Sequence, residues 1–463
     1  NAEDITYSSE SNEAVASTRL GEKPAAPINL SVKETDDQKL ELSWDEVENA
    51  VQYRVLRAES MFGTYAEVAV VKEARAEISY TGNKYANYYR VIALNGDTEE
   101  AEASDESAYV SLETELFGDH TLVFAPTDDP AKIDETLTAL FGKTHDSSAD
   151  AQFKGEHWQI YFKPGDYTQT KCINLGFYTA INGLGETPYD VRLNNVAIPD
   201  YLGNNNATCN FWRSMENVSI INTGNEQGKA QNSWRADWFN WGVAQAAPLR
   251  RVYSERPVAY DWNYGWASGG YVADCYFKGI DGEGNTAGTW SGQQFYTRNT
   301  VAEGNVFGTT LNNFFQGVIA PNLPNAEAAA AGQANALLSG QGYSNWKILD
   351  NDGNPKVFTN VEETKKIAEK PFLYMDENGE YMVFVPAVRE NTKGISWSED
   401  NMGEGKSVSL DTFYIASPAD SAAVLNEQLA AGKNIYFTPG IYHAEETIKV
   451  TRADTILLGT GLA

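Results

Sequence analysis

The chain has 463 residues and a formal net charge of −29, with 64 acidic against 35 basic side chains. Its length allows two or three domains, and its charge argues against nucleic acid and anionic membrane surfaces as partners. Three cysteines and four histidines are too few for a disulfide framework or a histidine-rich metal site. No run of 18 apolar residues occurs, so the sequence predicts no membrane span.

The first 114 residues predict a linker and a small β-sandwich. Residues 1–23 form a polar stretch of the kind left after removal of a signal peptide, so we expect a secreted or cell-surface protein. In residues 24–114, β-rich runs recur at even spacing: INLSV, KLELSW, YRVLRA, YAEVAVV, YYRVIAL and AYVSLET. Trp44, Tyr53 and the adjacent Tyr88 and Tyr89 resemble the fibronectin type III pattern. This resemblance implies a spacer or a carbohydrate-binding accessory domain without catalytic chemistry.

A long segment of the sequence occurs twice. Residues 160–185 begin with IYFKPGDY, residues 435–461 begin with IYFTPGIY, and both copies end in Gly-x-Gly. An acidic, Ala-rich helical pattern precedes each copy, at 128–142 and at 419–432. A helix, an apolar strand, a Pro-Gly turn and a second strand form one capped coil of a solenoid. The sequence therefore predicts the start of a solenoid twice.

We place the first solenoid at residues 115–320. A parallel β-helix coil takes about 22 to 25 residues, because three short strands and their turns must return the chain by one strand spacing. Strand-like runs continue at this spacing as far as NVFGTTLNNFFQGVI. The motifs RADWFNW and AYDWNYGW put Asp237-Trp238 and Asp261-Trp262 24 residues apart. One coil of advance is expected to stack these pairs on the same face.

The remaining sequence predicts an insertion and a second solenoid. Residues 321–410 contain an Ala-rich excursion with some helix and a hairpin at 371–388, with Asp-Glu-Asn-Gly as its turn. Residues 411–463 read as the start of the second solenoid, which stops after one coil. An open sheet edge invites aggregation, so we expect a fragment whose partner is a C-terminal β-helix segment of the same protein.

The repeated unit, with FKPGDY and FTPGIY at its centre, resembles the pectate-lyase-like right-handed parallel β-helix superfamily. Two solenoids in one chain resemble glycoside hydrolase family 55, the exo-β-1,3-glucanases, in which two β-helices sit side by side. The resemblance implies an all-β fold, a right-handed parallel β-helix with an N-terminal fibronectin type III-like β-sandwich, and a polysaccharide partner. No motif matches the family 55 catalytic acid residue by residue, and β-helices also host lyases, epimerases and adhesins.

Candidate site residues concentrate in residues 234–303. Glycoside hydrolysis uses two carboxylates on one face of the sugar, and aromatic platforms bind the apolar faces of sugar rings. The predicted catalytic residues are Asp237, Asp261, Asp274 and Asp281. The predicted substrate-binding residues are Trp238, Trp262, Trp266, Trp290, Gln293, Gln294 and Arg298.

Each predicted catalytic carboxylate has a structural alternative. Stacked Asp237 and Asp261 would repel each other, which either keeps one of them protonated or turns both to solvent. Asp274 is either a catalyst or a turn-capping ladder residue. Asp281 lies in GIDGEGN, where a turn or a Ca²⁺-binding loop is the more ordinary role. We expect no catalytic metal and no cofactor beyond a possible structural Ca²⁺.

The favoured function is hydrolysis of a neutral polysaccharide, a glucan, by a pair of these aspartates. One alternative is a polysaccharide lyase, in which Arg250, Arg251 and Arg256 would neutralise a uronate. The other is a non-catalytic surface protein that binds glycans. The catalytic groups could also lie in the expected C-terminal segment.

Overall fold

In the computed structural model, the described residues are 21–36, 38–145, 150–289, 291–308, 313–321, 323, 348–349, 355–356 and 358–462. They divide into two compact units. The smaller unit holds the residues up to Arg57 together with Tyr65–Tyr80 and Tyr89–Val110. The larger unit holds Ala58–Thr64, Thr81–Tyr88 and the chain from Ser111 onward. Within these described ranges no helix is long and apolar enough to cross a membrane.

The smaller unit is built on two sheets. One sheet has the order Ser31–Asp36, Lys39–Ser43, Arg75–Ser79, and the other has the order Ala66–Val71, Gln52–Ala58, Tyr88–Leu94, Val110–Ser111. Trp44 and Tyr53 are buried and meet edge to face, with ring centroids 5.3 Å apart. The predicted packing of these two rings is confirmed, while the assignment to the fibronectin type III family stays a prediction.

Two elements differ from the predicted strands. The strand Arg75–Ser79 was not predicted. It is short, and only two of its residues, Ala76 and Ile78, are apolar and buried, so the polar positions between them obscure the alternating pattern. The run AYVSLET forms a strand only at Val110–Ser111 and continues as the helix Leu112–Phe117. Ser111 starts that helix, since its hydroxyl accepts a hydrogen bond from the Thr114 backbone N–H at 3.2 Å. The Thr114 hydroxyl completes the capping box by accepting from the Ser111 N–H.

The larger unit contains a long parallel sheet, here called the main sheet, in which neighbouring strands come from successive coils. Its strands in chain order are Thr121–Phe124, Trp158–Phe162, Thr179–Gly183, Arg213–Ile220, Pro248–Ser254, Tyr271–Ala273, Tyr296–Arg298, Asn313–Gln316 and Phe358–Val361. Shorter strands pair beside it at Gly165–Tyr167, Val191–Leu193, Tyr276–Phe277 and Val301–Ala302. Every one of these pairs is parallel, as a β-helix requires.

A second parallel sheet of six strands forms another wall of the coils. Its strands are Ile173–Asn174, Val196–Ala197, Phe239–Asn240, Val258–Ala259, Asn285–Thr289 and Asn305–Gly308. A short parallel pair, Trp266–Ser268 and Ser291–Gln293, lies on the connecting loops. Apolar side chains from both sheets fill the interior, and Ile181, Met215 and Leu249 are fully buried there. The predicted β-helix is confirmed.

The first β-helix ends later than predicted. Asn313–Gln316 pairs in parallel with Phe358–Val361, so the main sheet continues beyond the predicted boundary at residue 320. Most of the Ala-rich excursion that the sequence places between these two strands lies outside the described residues. An antiparallel pair, Ile348–Leu349 with Pro355–Lys356, lies within it.

Both predicted helices are present, as Pro130–Thr144 and Ala422–Ala430. Asp129 caps the first helix by accepting from the Ala131 N–H at 2.9 Å, and Ser421 caps the second by accepting from the Val424 N–H at 3.3 Å. Four short 3₁₀ helices complete the helical elements of the described residues: Ala151–Phe153, Pro188–Asp190, Ala207–Cys209 and Leu410–Thr412.

The predicted hairpin leads into the second copy of the repeat. Phe372–Met375 pairs antiparallel with Tyr381–Pro386, which pairs with Gly405–Ser409, and Thr364–Ile367 pairs with Arg389–Thr392. A new parallel sheet then begins with Phe413–Ala416, Asn434–Phe437 and Leu457–Gly459. The first strands of the two parallel sheets pack together, and the hydroxyls of Tyr161 and Tyr436 hydrogen-bond in the core they share with the hairpin.

The two copies of the Pro-Gly unit have the same internal bonds. The Tyr167 hydroxyl donates to the carbonyls of Phe124 and Lys163, and the Tyr442 hydroxyl donates to those of Ala416 and Thr438. In each copy the turn glycine touches a proline of the preceding strand-to-helix turn. A Cβ on Gly165 would lie 2.4 Å from Pro126, and one on Gly440 would lie 2.3 Å from Pro418. The repeated motif is therefore a repeated structure.

Candidate active site

The predicted stack of Asp237 and Asp261 does not form. Phe239 is in register with Val258, so one coil of advance along this sheet takes 19 residues, from 239 to 258, rather than 24. Asp261 consequently lies beside Gly242, where a Cβ would come within 3.2 Å of the Asp261 carbonyl carbon. The prediction that the two aspartates share a rung is wrong, because coil length differs from one part of the solenoid to the next.

Asp261 is fully buried and forms an ion pair with Arg235, which is itself 5% exposed. It also accepts a hydrogen bond from the Tyr264 N–H at 2.9 Å. The Arg235 guanidinium lies 4.4 Å from the Tyr264 ring centroid and 5.1 Å from that of Trp238. The Arg235 guanidinium and the Tyr264 N–H both bind the same Asp261 oxygen, and the side chain is fully enclosed, so this environment argues against the predicted catalytic role of Asp261. Asp237 is exposed.

Asp274 belongs to a ladder of corner residues at the ends of main-sheet strands. Asn217, Arg251, Asp274 and Asn299 follow one another in register, and all have left-handed backbone with φ between 45° and 57°. The Asp274 carboxylate accepts from the Ser396 N–H and hydroxyl, at 2.5 and 2.7 Å, and lies 3.6 Å from Arg251. Burial raises the pKa of Asp274 to about 6, although the Arg251 charge opposes the shift. The structural alternative, a ladder aspartate, describes this residue.

Asp281 closes a turn. Its carboxylate accepts from the backbone N–H groups of Glu283 and Asn285, at 2.8 and 2.7 Å. Across the described ranges no group of three or more His, Cys, Asp or Glu side chains is placed to hold a metal ion. The possible structural Ca²⁺ stays a prediction.

The predicted substrate-binding residues do not form one surface. Trp262 is buried and Trp238 is half-buried against Arg235, whereas Trp266 is 40% exposed. Gln293 is half-buried and Gln294 is exposed, and Trp290 lies outside the described residues.

Arg298 is buried and is not free to bind a sugar. It donates through both terminal nitrogens to Glu369, at 2.6 Å each. Its remaining donor groups bond to Asn299 and Tyr271. Arg298 therefore positions its neighbours instead of contacting a ligand directly.

The structure brings another set of polar side chains together on the outward side of the main sheet, here called the outer face. Because side chains alternate along a strand, residues that are in register share one side of the sheet. Asn182 aligns with Glu216, Glu216 with Arg250, Ala273 with Arg298 and Arg298 with Gln316. The outer face comprises Asn182, Glu216, Arg250, Tyr271, Tyr296, Arg298 and Gln316.

One carboxylate oxygen of Glu216, on this face, lacks a hydrogen-bond partner among the described residues. It is 5% exposed, and its Oε2 accepts from Asn182 Nδ2 at 3.1 Å and from Lys370 Nζ at 2.6 Å. Within the described part of the chain its Oε1 has no hydrogen-bond partner. Buried polar atoms are nearly always satisfied, so an unsatisfied carboxylate oxygen suggests a place for water or a ligand hydroxyl.

The Tyr271 hydroxyl also lies on the outer face, where two arginines orient it. Its hydroxyl oxygen accepts from Arg250 Nη1 at 3.2 Å and from Arg298 Nη2 at 3.1 Å. The Arg250 guanidinium also lies 4.6 Å from the Tyr271 ring centroid. Since two cations donate to this oxygen, the hydroxyl hydrogen is left to donate elsewhere. The outer face thus combines a carboxylate acceptor with a hydroxyl donor, which suits binding of a polyhydroxylated ligand.

Sequence reasoning missed most of this face. Glu216, Tyr271, Glu369 and Lys370 were not among the predicted site residues. A usable signal exists in the sequence: Glu216, Arg250 and Arg298 each immediately precede a corner residue, namely Asn217, Arg251 and Asn299. Glu369 and Lys370 carry no such signal, because they come from a segment outside the coils.

Two family models match the parallel sheets. A rhamnogalacturonase A/epimerase, pectate lyase-like model matches residues 125–333, and a LAM55 pectate lyase-like domain model matches residues 413–463. The first range covers most of the first β-helix, and the second covers the start of the second parallel sheet.

The chain is also similar to a curated relative and to solved structures. It is 37% identical over 354 residues to an exo-β-1,3-glucanase of Streptomyces sp. (strain SirexAA-E / ActE), a match covering 75% of this chain and 48% of that protein. The structure of sacteLam55A from Streptomyces sp. SirexAA-E matches with a TM-score of 0.58 at 34% identity, covering 74% of this chain and 53% of that one. A variant of sacteLam55A in complex with glucose matches with the same TM-score at 33% identity and the same coverage. The chain spans about half the length of the curated relative it matches.

Proposed function

The chain is a member of the pectate lyase-like β-helix superfamily, and we propose that it forms part of a hydrolase that acts on a β-1,3-glucan. The observation that carries the proposal is the 37% identity, over three quarters of the chain, to an exo-β-1,3-glucanase. The neutral polysaccharide substrate expected from the sequence is of the same chemical class.

We assign the binding and water-activating groups to the outer face. Hydrolysis of a glycosidic bond needs a base that removes a proton from water and an acid that protonates the leaving oxygen. Glu216 serves as the base, because Lys370 holds its Oε2 and, among the described residues, its Oε1 has no hydrogen-bond partner and can accept a proton. Tyr271 donates its hydroxyl hydrogen to a sugar oxygen while Arg250 and Arg298 hold it in place.

The acid comes from the part of the protein that this chain does not contain, in our proposal. The match covers about half of the glucanase, so the other half is available to supply groups that face this sheet. The second parallel sheet, which starts at Phe413–Ala416, already packs beside the first strands of the main sheet. Further coils added to it would extend along the same side.

A paired substitution tests the assignment of Glu216. In the full-length gene product, Glu216→Gln should lower the rate of glucose release from laminarin by about 10² to 10⁴, the usual contribution of a general base. Asp237→Asn is the matched control, since Asp237 is an exposed aspartate from the sequence prediction and should leave the rate unchanged. Thermal melting of both variants would separate lost chemistry from lost folding. A wild-type protein that releases no glucose from laminarin would overturn the function itself, whereas an active Glu216→Gln variant would overturn only the site.

We further propose that the protein acts outside the cell, where its polymeric substrate lies, and that catalysis needs no metal. Both acid and base are side chains in this mechanism. Dialysis against EDTA should therefore leave the rate of laminarin hydrolysis unchanged. A loss that returns on adding Ca²⁺ or Mg²⁺ would contradict this.

The outer face also favours one competing function, that of a polysaccharide lyase. The Arg250 guanidinium beside Tyr271 is suited to neutralising a uronate carboxylate, whose charge a lyase must stabilise while a base removes the neighbouring proton. A lyase would create products with a new double bond, which absorb ultraviolet light. Scoring ultraviolet absorbance against reducing ends on acidic and neutral glycans distinguishes the two reactions.

A further inference from the structure

A second row of left-handed residues lies where successive coils enter the main sheet, one or two residues before a strand. Here it is called the entry corner, and it comprises Tyr178, Trp212, Ala246, Gly269 and Gln294, with φ between 52° and 72°. These residues occupy equivalent positions on neighbouring coils, because the strands that follow them pair in register. The Tyr178 N–H, for example, donates to the Trp212 carbonyl at 2.6 Å.

Aromatic rings stack along the first part of the entry corner. The His157 and Tyr178 rings lie with their centroids 5.0 Å apart and their planes inclined by 7°. The Tyr178 and Trp212 rings lie 6.1 Å apart and are inclined by 18°. The row ends at Trp212, which is 43% exposed, and among the described residues the Trp212 ring stacks only on Tyr178. The other face of the Trp212 ring is therefore not covered by a further ring.

The next two coils leave a gap beyond Trp212, here called the corner gap. Their entry-corner residues are Ala246 and Gly269, which have no side chain long enough to continue the row. The Gln245 side chain lies over Gly269, since a Cβ there would be 2.7 Å from Gln245 Cγ. Gln294 follows on the third coil, about 14 Å from Trp212 at one strand spacing per coil. The corner gap is thus bounded by an aromatic face on one side and by two exposed amide side chains on the other.

The corner gap has the chemistry of a sugar-binding subsite and lies close to the outer face. Sugar rings stack their apolar faces on aromatic rings, and the hydroxyls at their edges bond to uncharged amides. Trp212 precedes Glu216 by four residues, so at most about 13 Å of extended backbone separates them. A glycan whose cleaved bond lies at Glu216 can therefore reach Trp212 with a later sugar unit.

We propose that the corner gap is a distal subsite of the outer face, in which one sugar unit of a β-1,3-glucan stacks on Trp212 and hydrogen-bonds to Gln245; the ligand class rests on the proposed function. The bound sugar takes the place that the next ring of the row would occupy. Gln294, one of the predicted substrate-binding residues, closes the far end of the gap. A subsite at this distance contacts long chains and not short ones, so it strengthens binding of the polymer without touching the reacting groups.

Substrate length tests the subsite in the full-length gene product. Trp212→Ala should lower the ratio of kcat/KM for laminarihexaose to kcat/KM for laminaribiose at least fivefold, mainly by raising KM for the hexaose. Trp234→Ala is the matched control, because Trp234 is a 68% exposed tryptophan on a loop beside the six-stranded sheet. That variant should leave the ratio unchanged.

Filling the corner gap gives a second test that keeps Trp212 in place. Tyr178 and Trp212 already carry rings on the same left-handed backbone, so Ala246→Tyr should add the next ring of the row. The added ring should cover Trp212, lower the ratio at least fivefold and leave the melting temperature at or above that of the wild type. Unless both variants lower the ratio, the subsite is overturned, because Trp212 would then act through the fold and not through its open face.

Native gel electrophoresis through laminarin separates this proposal from the proposed function. Laminarin in the gel should retard the wild-type protein and Trp234→Ala equally, and it should retard Trp212→Ala and Ala246→Tyr less. Equal retardation of all four proteins would overturn the subsite, even where glucose is released. Retardation that falls in both entry-corner variants, in a protein that releases no glucose from laminarin, would support the subsite and overturn the proposed function alone.

Discussion

Buried charges around the outer face hold one another in place. Glu369 pairs with Arg298 at 2.6 Å, Lys370 pairs with Glu216 at 2.6 Å, and Asp274 lies 3.6 Å from Arg251. Removing one partner of such a pair leaves an uncompensated buried charge, which typically costs about 3 to 5 kcal/mol. Several of these side chains have the chemistry of a catalytic group, and among the described residues Glu216 keeps an unpartnered carboxylate oxygen.

The titration of Asp274 should be visible in the pH dependence of the free energy of unfolding. Burial raises its pKa in the folded protein to about 6, above the unfolded value of about 3.9, so the folded state holds this proton more tightly. The contribution of Asp274 to stability is therefore fully present below the unfolded pKa and is lost as the pH rises to about 6. We expect the stability of Asp274→Asn relative to the wild type to increase between pH 4 and pH 6 and then to level off.

Urea unfolding of the two proteins at each pH measures this difference. Other titrating groups are shared by both proteins and largely cancel. A difference that is constant with pH, or that falls as the pH rises, would show that Asp274 is not the group described here. Ser396→Ala should also change the profile, because it removes the hydroxyl that donates to Asp274 while the backbone N–H bond remains.

At the level of secondary-structure elements, the sequence predicted the local units of the fold. It did not predict which residues of successive coils lie side by side. The Pro-Gly unit, both capping helices and the hairpin were predicted, because each depends on local patterns of turns and apolar residues. The stacking of Asp237 on Asp261 was not predictable, since coil advance is 34 residues from Met215 to Leu249 and 23 from Pro248 to Tyr271. Corner loops absorb these differences, and a fixed period cannot locate side chains across them.

The structural role of the motif tyrosine can be tested in both copies of the repeated unit. Tyr167→Phe removes the hydroxyl that donates to the Phe124 and Lys163 carbonyls, and Tyr442→Phe does the same for Ala416 and Thr438. The Phe124 and Ala416 carbonyls keep a backbone N–H donor, so the loss falls on the Lys163 and Thr438 carbonyls. Each change should lower the free energy of unfolding by about 1 to 3 kcal/mol, since unsatisfied buried acceptors carry that cost. Tyr414→Phe is the control, because its hydroxyl bonds to the Asp420 side chain rather than to a carbonyl, and it should change stability by less than about 0.5 kcal/mol. Equal effects for all three would contradict a shared structural role of the motif tyrosine.

For the whole molecule, the net charge and the local charge of the outer face have opposite effects on an anionic polymer. The chain carries a formal charge of −29, which repels anionic polymers at long range. The outer face, by contrast, presents Arg250 and Lys370 beside Glu216. Long-range repulsion is screened by salt, with a Debye length of about 30 Å at 0.01 M and about 3 Å at 1 M, whereas contacts within the site are less affected.

Salt dependence therefore distinguishes the two candidate reactions. If the substrate is a neutral glucan, the full-length protein should cleave laminarin faster than carboxymethylated β-1,3-glucan at low salt, with the gap in kcat/KM narrowing as salt is added. Laminarin itself should show little salt dependence, because it carries no charge for the field of the protein to act on. If the basic side chains instead bind a uronate, the anionic polymer should be preferred at low salt, and its advantage should shrink as salt is added. That second outcome would favour the lyase, since attraction at the site would then outweigh the repulsion by the rest of the molecule.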